Sequence, residues 1–225
     1  MNTLLSSETI VPNTQVKSVV IWLHGLGASG HDFVPIIPQL KLPDEMGVKF
    51  VFPHVPERPV TLNMGMNMPA WYDIFGLHRD AQQDKAGVLQ AVSLVNQLIE
   101  HEHQSTGVPY EKIILAGFSQ GGAVALATAL THPKRLGGVL ALSTYLPIAE
   151  DLLANASDAN RQLPIMMVHG THDMVLNLEI AELSLQYLAH HHYPVEWKTY
   201  PMAHEVCMQE VIDISGWLKK ILAAA

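Results

Sequence analysis

The chain has 225 residues, 48% of them hydrophobic, which is enough to bury a large core, and many α/β enzymes of this length form one domain. Charged residues make up only 15%, the formal net charge is -8 and there is no Lys/Arg cluster, which argues against nucleic acid and against attachment to anionic lipid. The lone cysteine, Cys207, excludes an internal disulfide and a thiolate zinc cluster; with no basic n-region and no apolar run longer than a strand, the reading is a soluble cytoplasmic protein with no stable membrane insertion.

Lys17 to Leu23 is a run of β-branched and aromatic residues that suits a strand buried on both faces, and it ends in His24-Gly25-Leu26-Gly27. Glycines on both sides of Leu26 leave room for a backbone N–H to point into a site. His31 to Leu40 reads as a short helix limited by Pro35 and Pro38. A second strand, Lys49 to Phe52, opens a stretch to about Arg79 in which Pro53, Pro56, Pro59 and Pro69 argue against regular structure. That stretch carries Met64, Met66, Met68, Trp71, Tyr72 and Phe75, which would suit either an adaptable acyl pocket or core packing beneath a loop. Asp80 with Gln83 has the form of a capping box, and Val88, Val92, Val95 and Ile99 follow at helical spacing with Leu89 and Leu98 beside them.

Residues 112 to 132 then read as strand, tight turn and helix around Gly117-Phe118-Ser119-Gln120-Gly121, a Gly-x-Ser-x-Gly nucleophile elbow. Two further buried strands, Gly137 to Ser143 and Leu163 to His169, are separated by too few residues for a cap domain. Gly170-Thr171-His172-Asp173 follows, then a helix with Ile180, Leu183, Tyr187 and Leu188 on one face, a last strand at Val195 to Tyr200, and Pro201-Met202-Ala203-His204-Glu205. Cys207, Val211, Ile214, Leu218 and Ile221 give the terminal helix an apolar stripe. Strands alternating with helices imply a mostly parallel central sheet covered on both faces, residues 1–225 forming a single domain of the α/β class.

In such a sheet, ligands bind beyond the carboxyl ends of the strands. Leu26, Ser119, Asp173 and His204 each fall just past an expected strand, and the order Ser, Asp, His is that of an α/β-hydrolase. Ser119 is then the nucleophile, His204 the base that takes and returns its proton, and Asp173 the group that orients the imidazole; the backbone N–H groups of Leu26 and Gln120 would receive the oxyanion. His169 and His172 compete with His204 for the base, but they flank the aspartate on its own loop, whereas the base is expected after the next strand. His190-His191-His192, with His101 and His103, could suggest a metal; consecutive residues on a helix point in different directions, so a solvated helix end is the better reading and no metal ligands are assigned.

The segments Leu23-His24-Gly25-Leu26-Gly27, Pro69-Ala70-Trp71-Tyr72-Asp73-Ile74, Gly117 to Gly122, His169-Gly170 with Asp173, and Tyr200 to His204 resemble the phospholipase/carboxylesterase family of α/β-hydrolases, over about residues 17 to 222. The resemblance implies hydrolysis of carboxylic esters and thioesters without a cofactor, the triad Ser119, Asp173 and His204, an oxyanion hole at Leu26 and Gln120, and an acyl pocket lined by the loop around Trp71. Met66, Met68 and Leu176 complete the candidate substrate-binding set. Ala28 stands where the family often has an acidic residue, Leu176 where a proline commonly follows the aspartate, and Thr144 where glycine is common. The leading expectation is a carboxylesterase acting on short- to medium-chain, lipid-like acyl esters. An acyl-protein thioesterase or lysophospholipase is the alternative, and a noncatalytic binder on the same fold a more distant one. The Met and aromatic loop would serve an acyl chain or a second subunit, so a homodimer is also considered.

Overall fold

A computed structural model describes residues 4–78 and 81–224. The strands are β1 (Ser7–Ile10), β2 (Ser18–Leu23), β3 (Val48–Pro53), β4 (Glu57–Val60), β5 (Met66–Pro69), β6 (Ile113–Phe118), β7 (Gly138–Leu142), β8 (Ile165–Gly170) and β9 (Val195–Tyr200). The α-helices are α1 (Ile37–Leu40), α2 (Lys85–Thr106), α3 (Gln120–Thr131), α4 (Ala149–Ala154), α5 (Leu178–His190) and α6 (Met208–Ala224). Seven strands form one sheet in the order β1-β3-β2-β6-β7-β8-β9, parallel except for β1, which pairs antiparallel with β3 at the edge.

The continuous apolar runs of β2, β7 and β8 are buried throughout, as a sheet covered on both faces requires. Their two-residue period divides the core. Val19, Ile21 and Leu23 pack with α2 and α3 on one face, while Val20 and Trp22 pack with Leu40 of α1 and with Ile214, Trp217 and Leu218 of α6 on the other. Parallel strands send every carboxyl end to one rim, which is where the loops after β2, β6, β8 and β9 meet.

Several local expectations are corrected. The proline-rich stretch holds a two-stranded ribbon, β4 with β5, in which Pro59 faces Asn67 and Pro69 faces Glu57. Prolines are tolerated because such a ribbon has free edges and does not need every N–H. Helix α2 begins at Lys85 behind Asp84, whose carboxylate accepts the Gly87 N–H, while Asp80 lies outside the described residues. Leu89 is exposed whereas Leu98 is buried. The expected helix at 31–40 is mostly a 3-10 turn, Gly30–Ile36, with Pro35 inside it, followed by the single turn α1. Cys207 sits just before α6 rather than on it, half-buried against the second core cluster. Among the described residues, no helix is long and apolar enough to cross a membrane.

Candidate active site

The backbone at Ser119 turns from β6 into α3 at φ 53 and ψ -121, a conformation that side chains rarely adopt. The surrounding glycines make the turn sterically feasible. A Cβ at Gly117 would lie 2.3 Å from Gly121 O, and one at Gly121 would lie 2.3 Å from Leu23 O and 2.5 Å from His24 O. The elbow is held from β7 as well: Ser119 N donates to Leu142 O at 2.9 Å and Thr144 Oγ1 donates to Ser119 O at 2.6 Å. Thr144, a departure from the family pattern, thus locks the carbonyl of Ser119.

The loop after β2 runs alongside. Two of its amides are committed, Gly27 N donating to Pro69 O at 2.8 Å and Ala28 N to Gly25 O at 3.3 Å, and Leu26 lies in the wall of the cavity that Ser119 also lines. Trp71 is fully buried, which corrects its place in the acyl wall. Its indole Nε1 donates to His24 O at 2.9 Å and its backbone N to Gln120 Oε1 at 2.9 Å, while Gln120 Nε2 donates to Tyr72 O at 2.7 Å. The side chain of Gln120 therefore fastens the loop around Trp71 to the head of α3, a role the Gly-x-Ser-x-Gly pattern does not reveal. Burial lowers the affinity of the neighbouring His24 for a proton, keeping it neutral between Gly25 O and Val55 N.

Beyond β8 and β9, the Asp173 side chain is fully buried and His204 Nδ1 donates to its Oδ2 at 2.6 Å. The other oxygen, Oδ1, accepts from Val175 N at 2.9 Å and Leu176 N at 2.8 Å, so the carboxylate is satisfied from both sides. Behind it lies His169, whose Nε2 donates to Leu176 O at 2.8 Å and stands 3.4 Å from Asp173 Oδ2. Burial lowers its proton affinity, so it serves as a neutral brace. His172 is exposed, its N–H donating to Met202 O. Of the three histidines, only His204 both meets Asp173 at hydrogen-bond distance and reaches the cavity, its ring tilted against Phe118 with centroids 4.7 Å apart.

A cavity of about 210 Å³ has Leu26, Ser119, Gln120, Leu176 and His204 in its wall, with Ile74 and Phe118 adding apolar surface. A second space of about 270 Å³ adjoins it through shared walls at Leu77, Tyr145 and Leu176, and extends to Ile180 and Leu183 of α5. Tyr145 shares a 2.8 Å hydrogen bond with Tyr72, and burial raises both hydroxyls above the usual phenol range, Tyr72 well above it, so both remain neutral. Met66 and Met68 do not line either space. Met66 stands exposed on β5, and Met68 accepts from Asn63 through sulfur on the same ribbon. Met68 instead packs beside the Leu26 loop, its sulfur 3.9 Å from where a Cβ at Gly27 would stand.

The sheet order, the elbow and the loops at one rim define an α/β-hydrolase. The profile of the phospholipase/carboxylesterase family matches residues 5–222, and the chain belongs to that family of serine hydrolases. It is 38% identical to a protein named acyl-protein thioesterase 1 from Gibberella zeae, over 97% of this chain and 98% of that one. Among solved structures, Zea mays acyl-protein thioesterase 2 superposes with a TM-score of 0.86 at 28% identity, covering 96% of this chain and 99% of that chain. Arabidopsis thaliana SOBER1 superposes with a TM-score of 0.87 at 33% identity, covering 91% and 99%.

Proposed function

We propose that the protein hydrolyses acyl thioesters and esters of lipid-like chains, with Ser119 as nucleophile, His204 as general base and acid, and Asp173 as the orienting carboxylate. The observation that carries this is the 2.6 Å contact between His204 Nδ1 and a buried Asp173, with His204 and Ser119 in the wall of one cavity. With its Nδ1 proton held by the aspartate, the imidazole keeps Nε2 free to accept the Ser119 proton. Ser119 Oγ attacks the acyl carbon, the N–H groups of Leu26 and Gln120 receive the oxyanion, and the proton on His204 leaves with the thiol or alcohol. Water then enters, loses a proton to His204 and releases the acid. Each oxyanion donor lost would cost on the order of 3 kcal/mol of barrier.

The relatives named acyl-protein thioesterase favour thioesters among the substrates, and the largely apolar space beyond Ser119 suits a lipid-like acyl chain on either kind of ester. A short- to medium-chain carboxylesterase is the second reading, supported by the modest size of the inner cavity, about 210 Å³. The expected result is covalent labelling by a fluorophosphonate probe that disappears in Ser119→Ala. A panel of p-nitrophenyl esters from acetate to palmitate, run beside an acyl thioester, separates the two substrate readings. A folded wild-type protein that takes no label would overturn the assignment of Ser119.

A further inference from the structure

Three side chains outside the cavity converge from separated segments. Glu8 lies on β1, His31 in the 3-10 turn after the Leu26 loop, and His54 just past the end of β3. The Glu8 Oε1 atom stands 3.4 Å from His54 Nε2 and 3.7 Å from His31 Nε2, and one ligand atom from each residue falls within 4.8 Å of the others. The two imidazole rings are tilted with centroids 4.9 Å apart. A tetrahedral zinc ion with bonds of about 2.0–2.1 Å holds its ligand atoms about 3.3 Å apart. Two edges of that tetrahedron are therefore nearly formed, and His31, whose side chain is 68% exposed, is free to turn and close the third.

The framework beneath the cluster is rigid. The antiparallel register sets Glu8 opposite Phe52, two residues before His54. At Gly30, a Cβ would lie 2.4 Å from Phe52 O and 3.1 Å from His54 Cε1, so the turn carrying His31 is packed directly on the end of β3. The backbone positions of the three residues are thus fixed relative to one another, while the exposed His31 ring can turn on its own side-chain bonds.

We propose that Glu8, His31 and His54 form a surface site for a divalent transition ion of the zinc type, with the fourth position open to water. Two imidazoles and one carboxylate suit Zn²⁺ or Co²⁺ and are a poor set for Mg²⁺ or Ca²⁺, which take oxygen ligands. The site has a built-in cost. His54 Nδ1 accepts the Gly30 N–H at 3.2 Å, so the ring proton sits on Nε2 facing Glu8. A metal on Nε2 moves that proton to Nδ1, and the Gly30 amide loses its acceptor. One hydrogen bond surrendered corresponds to about tenfold in affinity, so the site is a reversible one rather than a structural centre. None of its ligands lines the cavity at Ser119, so it does not take part in the proposed hydrolysis.

The test uses the full chain titrated with Zn²⁺ by calorimetry and with Co²⁺ by visible absorption, beside His31→Ala and Glu8→Gln. The expected outcome is a first equivalent bound in the micromolar range, weakened by at least about tenfold in either variant. In amide NMR spectra, the Gly30 resonance should shift on Zn²⁺ addition in the wild-type protein and stay in place in His31→Ala. No saturable first equivalent, or one that persists unchanged in both variants, would overturn the site; persistence would move the ion to other histidines, such as the His190–His192 run. Far-UV circular dichroism verifies that both variants remain folded.

Discussion

Gln120 and Leu176 each link the chemistry to the wall around it. Gln120 offers its backbone N–H at the head of α3 while its buried amide holds Trp71 N and Tyr72 O. Gln120→Met keeps the backbone donor but leaves two buried groups unpaired, each worth about 1–3 kcal/mol. Melting temperature should fall, and kcat should fall more than KM changes, because the loop behind the proposed oxyanion donors is released. Leu176 has its N–H on Asp173 and its carbonyl on His169, with its side chain between the two cavities. A proline here would remove the N–H that Asp173 uses. Leu176→Ala keeps both backbone bonds and widens the passage, so the ratio of long-chain to short-chain ester turnover should rise in the p-nitrophenyl panel.

At the scale of elements, the site depends on how closely β2, β6 and the start of α3 approach one another. Gly121→Ala would drive a methyl group to 2.3 Å from Leu23 O, an atom fixed in the strand ladder, so neither partner can yield. Loss of both thermal stability and turnover is expected, measured by calorimetry and ester hydrolysis; an active, equally stable variant would contradict the packing described. The strands that build this crossing were legible from their unbroken apolar runs, and the loops after them from their glycines. β1 was not. Ser7–Ile10 is a short, half-buried edge strand of mixed polarity whose only structural signal is its pairing with β3. The ribbon of β4 and β5 was hidden by its prolines, and Trp71 looked like pocket lining because a sequence cannot tell a buried aromatic from one facing a cavity. Glu8, His31 and His54 are likewise separated in the chain and meet only through the register of β1 and β3.

For the molecule as a whole, α6 closes the second face of the sheet and brings Glu210 inside with it. Burial pushes this carboxyl up to about 8, only partly opposed by the backbone N–H of Cys207. The unfolded chain gives up the same proton near the ordinary glutamate value, about 4.3. Because the folded value is raised, the stability linked to this proton is fully present below that ordinary value and is lost as pH climbs toward 8. The slope is at most about 1.4 kcal/mol per pH unit. Glu210→Gln removes the titration, so urea midpoints of wild type and variant should diverge between pH 5 and 8 in favour of the variant, and run parallel above that range. Midpoints that keep a constant offset across the range would exclude Glu210 as the source.

The turn at Ser119 has a consequence for thermal tolerance. Holding a non-glycine residue at φ 53 and ψ -121 stores about 1–3 kcal/mol that the rest of the fold must outweigh. Glycine occupies that region without strain, whereas alanine inherits the penalty. Ser119→Gly should therefore melt several degrees above Ser119→Ala, at about 2–4 °C per kcal/mol for a chain of this size. Both lack the hydroxyl, so the interval between their melting temperatures measures how much heat resistance the fold gives up to hold a non-glycine residue in this turn.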